Sequence, residues 1–150
     1  MISVLNNTQG GFFISQIKQI SGRIFEKILV RNKIDDFNGP QGRILYILWQ
    51  EDSIPIKELS KKTGLALTTL TSMLDRMESA ELVNRTFTKT DRRKVLIVLT
   101  EKAKKLKNKY DEVSSQMNEI YYDGFSDDEI LQLENYLSRI LKNLKQKQEE

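Results

Sequence analysis

The 150-residue chain has no cysteine and no histidine. Without cysteine, disulfides, thiol redox switches and thiolate-bound zinc are excluded. Without histidine, the commonest general base and the commonest transition-metal ligand are missing as well. Carboxylates could still hold a hard cation, but no loop carries the spaced acidic pattern of a calcium site. There is no glycine-rich phosphate loop either. The expectation is therefore no metal, no cofactor and no enzyme. With only two prolines and seven glycines, the chain should form long regular elements rather than loops or disorder. Long hydrophobic runs are missing too. The longest, Ile44 to Trp49, falls far short of the roughly 20 residues that cross a membrane. The N-terminus has no basic stretch followed by an apolar core. No membrane partner is expected, and the expected location is the cytoplasm.

What is present suits one soluble domain, with 39% hydrophobic and 30% charged residues. The net charge of +3 is unevenly spread. Residues 57–105 carry 12 basic and 6 acidic side chains, whereas residues 106–150 carry 6 basic and 10 acidic. A basic middle segment is either a solvated lysine-rich surface or a place where phosphates are met.

The same segment has the pattern of a helix-turn-helix. Ile56 to Thr63 reads as a short helix with Leu59 facing inward and Ser60 small enough for close packing. Gly64 supplies the positive φ of a tight turn. In the next helix Leu70, Met73, Leu74 and Met77 form an inner stripe. Thr68, Thr69, Thr71, Ser72, Asp75 and Arg76 are left on the outer face, where short hydroxyls and an arginine suit base edges and phosphates. A hairpin follows. Val83, Arg85, Phe87 and Lys89 alternate on one strand, and Val95, Ile97 and Leu99 on the return. Its tip holds Asp91-Arg92-Arg93-Lys94, three adjacent cations whose mutual repulsion is best relieved by an anionic partner, although Asp91 could engage one arginine. The pattern is a winged helix over residues 38–100, and double-stranded DNA is the expected partner.

The flanks are helical. Phe13, Ile17, Ile20, Ile24 and Ile28 recur at helical spacing. Asn38-Gly39-Pro40 ends that helix and starts another, with Pro40 suited to its first position. After the wing, Thr100 and Glu101 open a helix with the stripe Ala103, Leu106, Tyr110, Val113, Met117 and Ile120. Ser126 to Glu129 is a capping box, and it opens a last helix with the stripe Ile130, Leu133, Leu137, Ile140 and Leu144. Such heptad-like stripes suit helix-on-helix packing within a chain or between chains. Because they lie outside a winged helix that has its own core, a homodimer is expected, able to read a palindrome with two motifs.

Several runs carry a family resemblance. They are Pro40-Gln41, the stretch from Leu59 to Met77 ending in Asp75-Arg76-Met77-Glu78, then Leu82-Val83, and above all Asp91-Arg92-Arg93 with Val98-Leu99-Thr100-Glu101-Lys102. Together with the order of elements, they resemble the MarR family of bacterial transcriptional regulators over nearly the whole chain. The resemblance implies a mostly α fold with a small β-wing, in which residues 1–35 and 103–150 supply dimerisation helices. It implies a homodimeric regulator, a repressor on a palindromic operator, released by a small aromatic or anionic ligand. Carried over, it sends Thr68, Thr69, Thr71, Ser72 and Arg76 to the major groove and Arg92 or Arg93 to the minor groove, with Lys94 beside them. Ile17, Tyr46, Trp49 and Tyr110 would line the ligand pocket. The chain departs from the family at Glu81 and Ala103, where glycine is usual or frequent, so the helix before Glu81 is expected to end differently. The alternatives are a DNA-architectural protein or a protein-interaction module without an effector.

Overall fold

The computed structural model describes residues 2–91 and 93–149. The element order is α1 (Ile2–Asn6), α2 (Gly10–Arg31), α3 (Gly39–Gln50), β1 (Ile54–Pro55), α4 (Ile56–Thr63), α5 (Leu67–Ser79), β2 (Val83–Phe87), β3 (Val95–Leu99), α6 (Glu101–Lys105), α7 (Lys107–Tyr121) and α8 (Asp127–Gln148). The chain is mostly helical with one three-stranded antiparallel sheet in the order β1-β3-β2. It forms two compact units, Met1–Ser114 and Ser115–Glu150.

The core of the first unit follows the apolar stripes. Ile44, Leu45 and Leu48 of α3 are fully buried, as are Leu59 of α4 and Leu70, Leu74 and Met77 of α5. Val83 and Ile97 close the core from the sheet side. Helix α2 contributes only through its second half. Phe25, Ile28 and Leu29 are buried, while Phe13, Ile17 and Ile20 of the same expected stripe are exposed.

Local chemistry sets most element ends. Asn38 caps α3 by accepting from the Gln41 N–H at 2.9 Å, and the Gln41 side chain accepts from the Asn38 N–H at 3.0 Å. The helix begins at Gly39, so Pro40 takes its second position rather than the first. Helix α4 ends on Gly64 at φ +78°. Helix α5 ends in a Schellman turn, with the Leu82 N–H donating to the Met77 carbonyl and the Glu81 N–H to that of Glu78. Glu81 sits there at φ +60°. The helix thus ends as a glycine would end it, and the different ending expected from the sequence is not found. Three hydrogen bonds to this turn, two from the Thr100 hydroxyl and one from its main-chain N–H, hold it in place.

Two further expectations are corrected, and one strand is added. The helix after the wing is not continuous. It breaks at Leu106, whose N–H reaches back only three residues to Ala103, even though the apolar stripe runs straight through. Lys89 lies in the turn of the hairpin and not in its strand. The Ser53-Ile54-Pro55 connection contains a strand, because Ile54 pairs with Ile97 and the Asp52 carboxylate accepts from the Leu99 N–H at 2.9 Å.

In the second unit, the Ser126–Glu129 capping box is formed as expected. Its two hydrogen bonds hold the Glu129 carboxyl below the usual glutamate range. Helix α8 has no buried residue along its 22 positions.

Candidate nucleic-acid interface

The turn between α4 and α5 is rigid for identifiable reasons. Gly64 accepts the left-handed geometry, the Ser60 hydroxyl donates to the Leu65 carbonyl at 2.6 Å, and the Thr63 hydroxyl donates to the Leu59 carbonyl at 2.8 Å. With Leu70, Leu74 and Met77 anchored in the core, the opposite side of α5 must face outward. Thr68, Thr69, Thr71, Ser72 and Arg76 are all exposed, as the sequence implied. Thr71 donates back to the Leu67 carbonyl at 2.8 Å, and Arg76 leans on the Ser72 hydroxyl at 3.4 Å. Among the described residues, the hydroxyls of Thr68 and Thr69 have no partner and are available to one.

The wing places its cations at the end of the β2–β3 hairpin. The Thr88 hydroxyl and Asp91 main chain close the turn through two hydrogen bonds. Arg93 donates to Asp91 twice, from its main-chain N–H at 3.0 Å and from Nε at 3.2 Å. These two bonds, with Lys94 nearby, hold the Asp91 carboxyl below its ordinary range. The Arg93 side chain is still 91% exposed, so its terminal nitrogens point into solvent. Lys94 is exposed as well. Arg92 lies outside the described residues.

One residue that the sequence places only on the wing strand joins helix to wing. Arg85, half-buried on β2, reaches Asp75 at 2.9 Å, Glu78 at 3.4 Å and the Thr71 carbonyl at 3.3 Å. Its own N–H donates to the second Glu78 oxygen at 3.2 Å. Asp75, read from sequence only as part of the outer face, is therefore committed to the wing strand. A pair of acids three residues apart on a helix, followed by an arginine on the next strand, was the available signal. Nothing in the linear spacing said that they meet.

Of the four residues expected to line a ligand pocket, three are brought together. Tyr110 lies 5.2 Å from Trp49 and 6.0 Å from Tyr46, ring centre to ring centre, in a cluster that includes Phe25 and Phe37. The Trp49 indole N–H donates to the Ala103 carbonyl at 3.0 Å. Burial pushes the Tyr110 phenol above the usual tyrosine range, opposed by nearby Arg43. Ile17 stands apart, exposed on α2. None of the four lines the open cleft of about 700 Å³ in this unit. The cleft is lined instead by α2, the start of α3 and the α4–α5 turn, including Lys18, Arg23, Arg43, Pro40 and Leu65. Glu26, also at the cleft, accepts from the Gly39 N–H at 2.6 Å.

Comparison with known proteins narrows the reading. Residues 37–95 match the sequence model of the MarR family. The organic hydroperoxide resistance transcriptional regulator of Bacillus subtilis is 33% identical over 108 residues, which is 72% of each chain. This chain belongs to the MarR family. A second Bacillus subtilis protein, the uncharacterized HTH-type transcriptional regulator YfiV, is 30% identical over 122 residues, covering 73% of this chain and 71% of its own. Among solved structures, a mutant MarR from E. coli complexed with operator DNA superposes with a TM-score of 0.77 at 26% identity, over 87% of this chain and 92% of that one. A MarR transcriptional regulator from Methanosarcina mazei gives a TM-score of 0.79 at 24% identity over 91% and 96%, and so shares the fold. These relatives are transcriptional regulators, a class apart from enzymes.

Proposed function

We propose that this MarR-family chain is a cytoplasmic, sequence-specific DNA-binding repressor that acts as a homodimer on a palindromic operator. The observation that carries the reading is α5 with its exposed Thr68, Thr69, Thr71, Ser72 and Arg76, tied by Arg85 to a wing whose Arg93 and Lys94 reach into solvent. Short hydroxyls on a helix that fits the major groove can read base edges, while wing cations beside it meet the minor groove or phosphates. Arg93 is the favoured minor-groove residue, since only one of its three guanidinium nitrogens is engaged by Asp91. Residues 38–100 form the DNA-binding region, and residues 1–35 and 103–150 supply the dimer contacts.

A small anionic ligand is the proposed release signal, with the cleft as its place. Lys18, Arg23 and Arg43 line the cleft and have no ion pair among the described residues. A ligand that prefers lobes spaced wrongly for DNA weakens operator affinity by the ratio of its affinities for the two states.

Footprinting of the upstream intergenic DNA tests the reading. A regulator protects a short inverted repeat, whereas an architectural protein protects DNA broadly. A protein-interaction module gives no salt-dependent protection, and that outcome would overturn the proposal, since phosphate contacts give a log–log salt slope of about −0.9 per neutralised phosphate.

A further inference from the structure

Arg85 engages three residues of α5 at once. Its guanidinium and main-chain N–H engage Thr71, Asp75 and Glu78, which lie on one stripe of α5 at steps of four and three residues. The planar fork spreads over two carboxylates and a carbonyl at once, a geometry that lysine's single ammonium cannot reproduce. The side chain is 27% exposed, so it lies between helix and strand rather than reaching out from them. Its neighbours on the helix, Ser72 and Arg76, belong to the face assigned to DNA. Its strand leads, two residues on, to the exposed Phe87 and then to the basic turn.

We infer that Arg85 is a positioning residue for operator recognition: it fixes the angle between α5 and the wing so that both enter their grooves together. The inference rests on the DNA-binding reading and adds a mechanism to it. Base readout demands correct registry of the helix, whereas phosphate attraction tolerates many orientations. Losing the tie should therefore cost specific binding far more than non-specific binding. Arg85 also occupies Asp75 and Glu78, two carboxylates that would otherwise face the phosphates uncompensated.

The test uses the full chain and a duplex that the wild-type protein selects from a randomised 30-base-pair pool, compared with a scrambled duplex of equal composition. For Arg85→Ala the ratio of operator to scrambled affinity should fall roughly tenfold or more, the scale of one or two lost base contacts. The salt slope should stay at the wild-type value, because no phosphate contact is removed. Arg85→Lys should recover only part of the ratio, and it carries the same test if the alanine variant fails to fold by circular dichroism. A slope reduced by about one with an unchanged ratio would make Arg85 a phosphate contact and overturn the inference. An unchanged ratio and slope would reduce it to a tie within the fold. A wild-type protein that enriches no sequence would overturn the DNA reading itself, and the inference with it.

Discussion

Two residues show how closely single positions are set. Gly42 on α3 faces the aromatic cluster, and a Cβ there would stand 2.9 Å from Tyr110 Cε2 and 3.3 Å from the Phe37 ring. Both rings are packed from several sides, so neither can retreat cheaply. Gly42→Ala should destabilise the chain by about 1–3 kcal/mol, the usual range for overpacking, and a urea melt measures it. Glu81 presents the opposite case. It bears a Cβ in left-handed geometry, a strain on the order of 1 kcal/mol, because the Schellman hydrogen bonds and Thr100 hold the turn closed. Glycine relieves that strain but has more freedom to lose on folding. Glu81→Gly should raise the melting temperature by up to about 3 °C. A lower melting temperature would show that Glu81 makes contacts worth more than the strain.

At the scale of elements, the wing turn offers a pH test. The folded-state pKa of Asp91 is depressed by its hydrogen bonds from Arg93. Its contribution to turn order is therefore complete above the ordinary aspartate value near 4 and is lost as pH falls through the lower, folded value. Near neutrality the turn should be indifferent to pH. Carboxyl chemical shifts followed by NMR should place the Asp91 midpoint below that ordinary value, and Arg93→Ala should bring it back. A wild-type midpoint at the ordinary value would remove the Asp91–Arg93 pair from solution. The elements also show what sequence can and cannot reveal. The helix-turn-helix was legible because its inner stripe, Gly64 and outer hydroxyls are all local signals. The Ser126 capping box was legible for the same reason. The break at Leu106 was not, since Ala103, Leu106 and Tyr110 keep helical spacing across it. Strand β1 spans two residues and exists only through its pairing with β3, and the Arg85 contacts join positions 71, 75, 78 and 85 through the tertiary fold. Spacing alone does not say whether aromatic residues on bordering helices line a pocket or pack on one another, and the contacts of Tyr110 with Tyr46 and Trp49 came only with the tertiary fold.

For the whole molecule, the helices outside the winged helix present large apolar side chains that call for a cover. In α8, Leu137, Leu141 and Leu144 are 45%, 52% and 63% exposed, and in α2 Phe13 and Ile17 are exposed to a similar degree. Monomers seldom leave a row of large apolar side chains along a helix in water, and a stable interface covers about 800 Å² on each partner. A second copy of the chain is the occupant that also explains two-fold DNA reading. Light scattering behind gel filtration should give twice the chain mass for the wild type. Leu137→Glu combined with Leu144→Glu should give the single mass. These positions are already exposed, so the helical circular-dichroism signal should persist. The same variant should lose operator affinity by two or more orders of magnitude, because each half-site must then be bound without the tethering of its twin. Its salt slope should fall toward half, since one protomer meets half of the phosphates. If the double variant remains dimeric, α8 is not the interface. If it is monomeric and still binds the full palindrome as tightly, the two-fold reading of the operator is wrong while the winged helix retains its role.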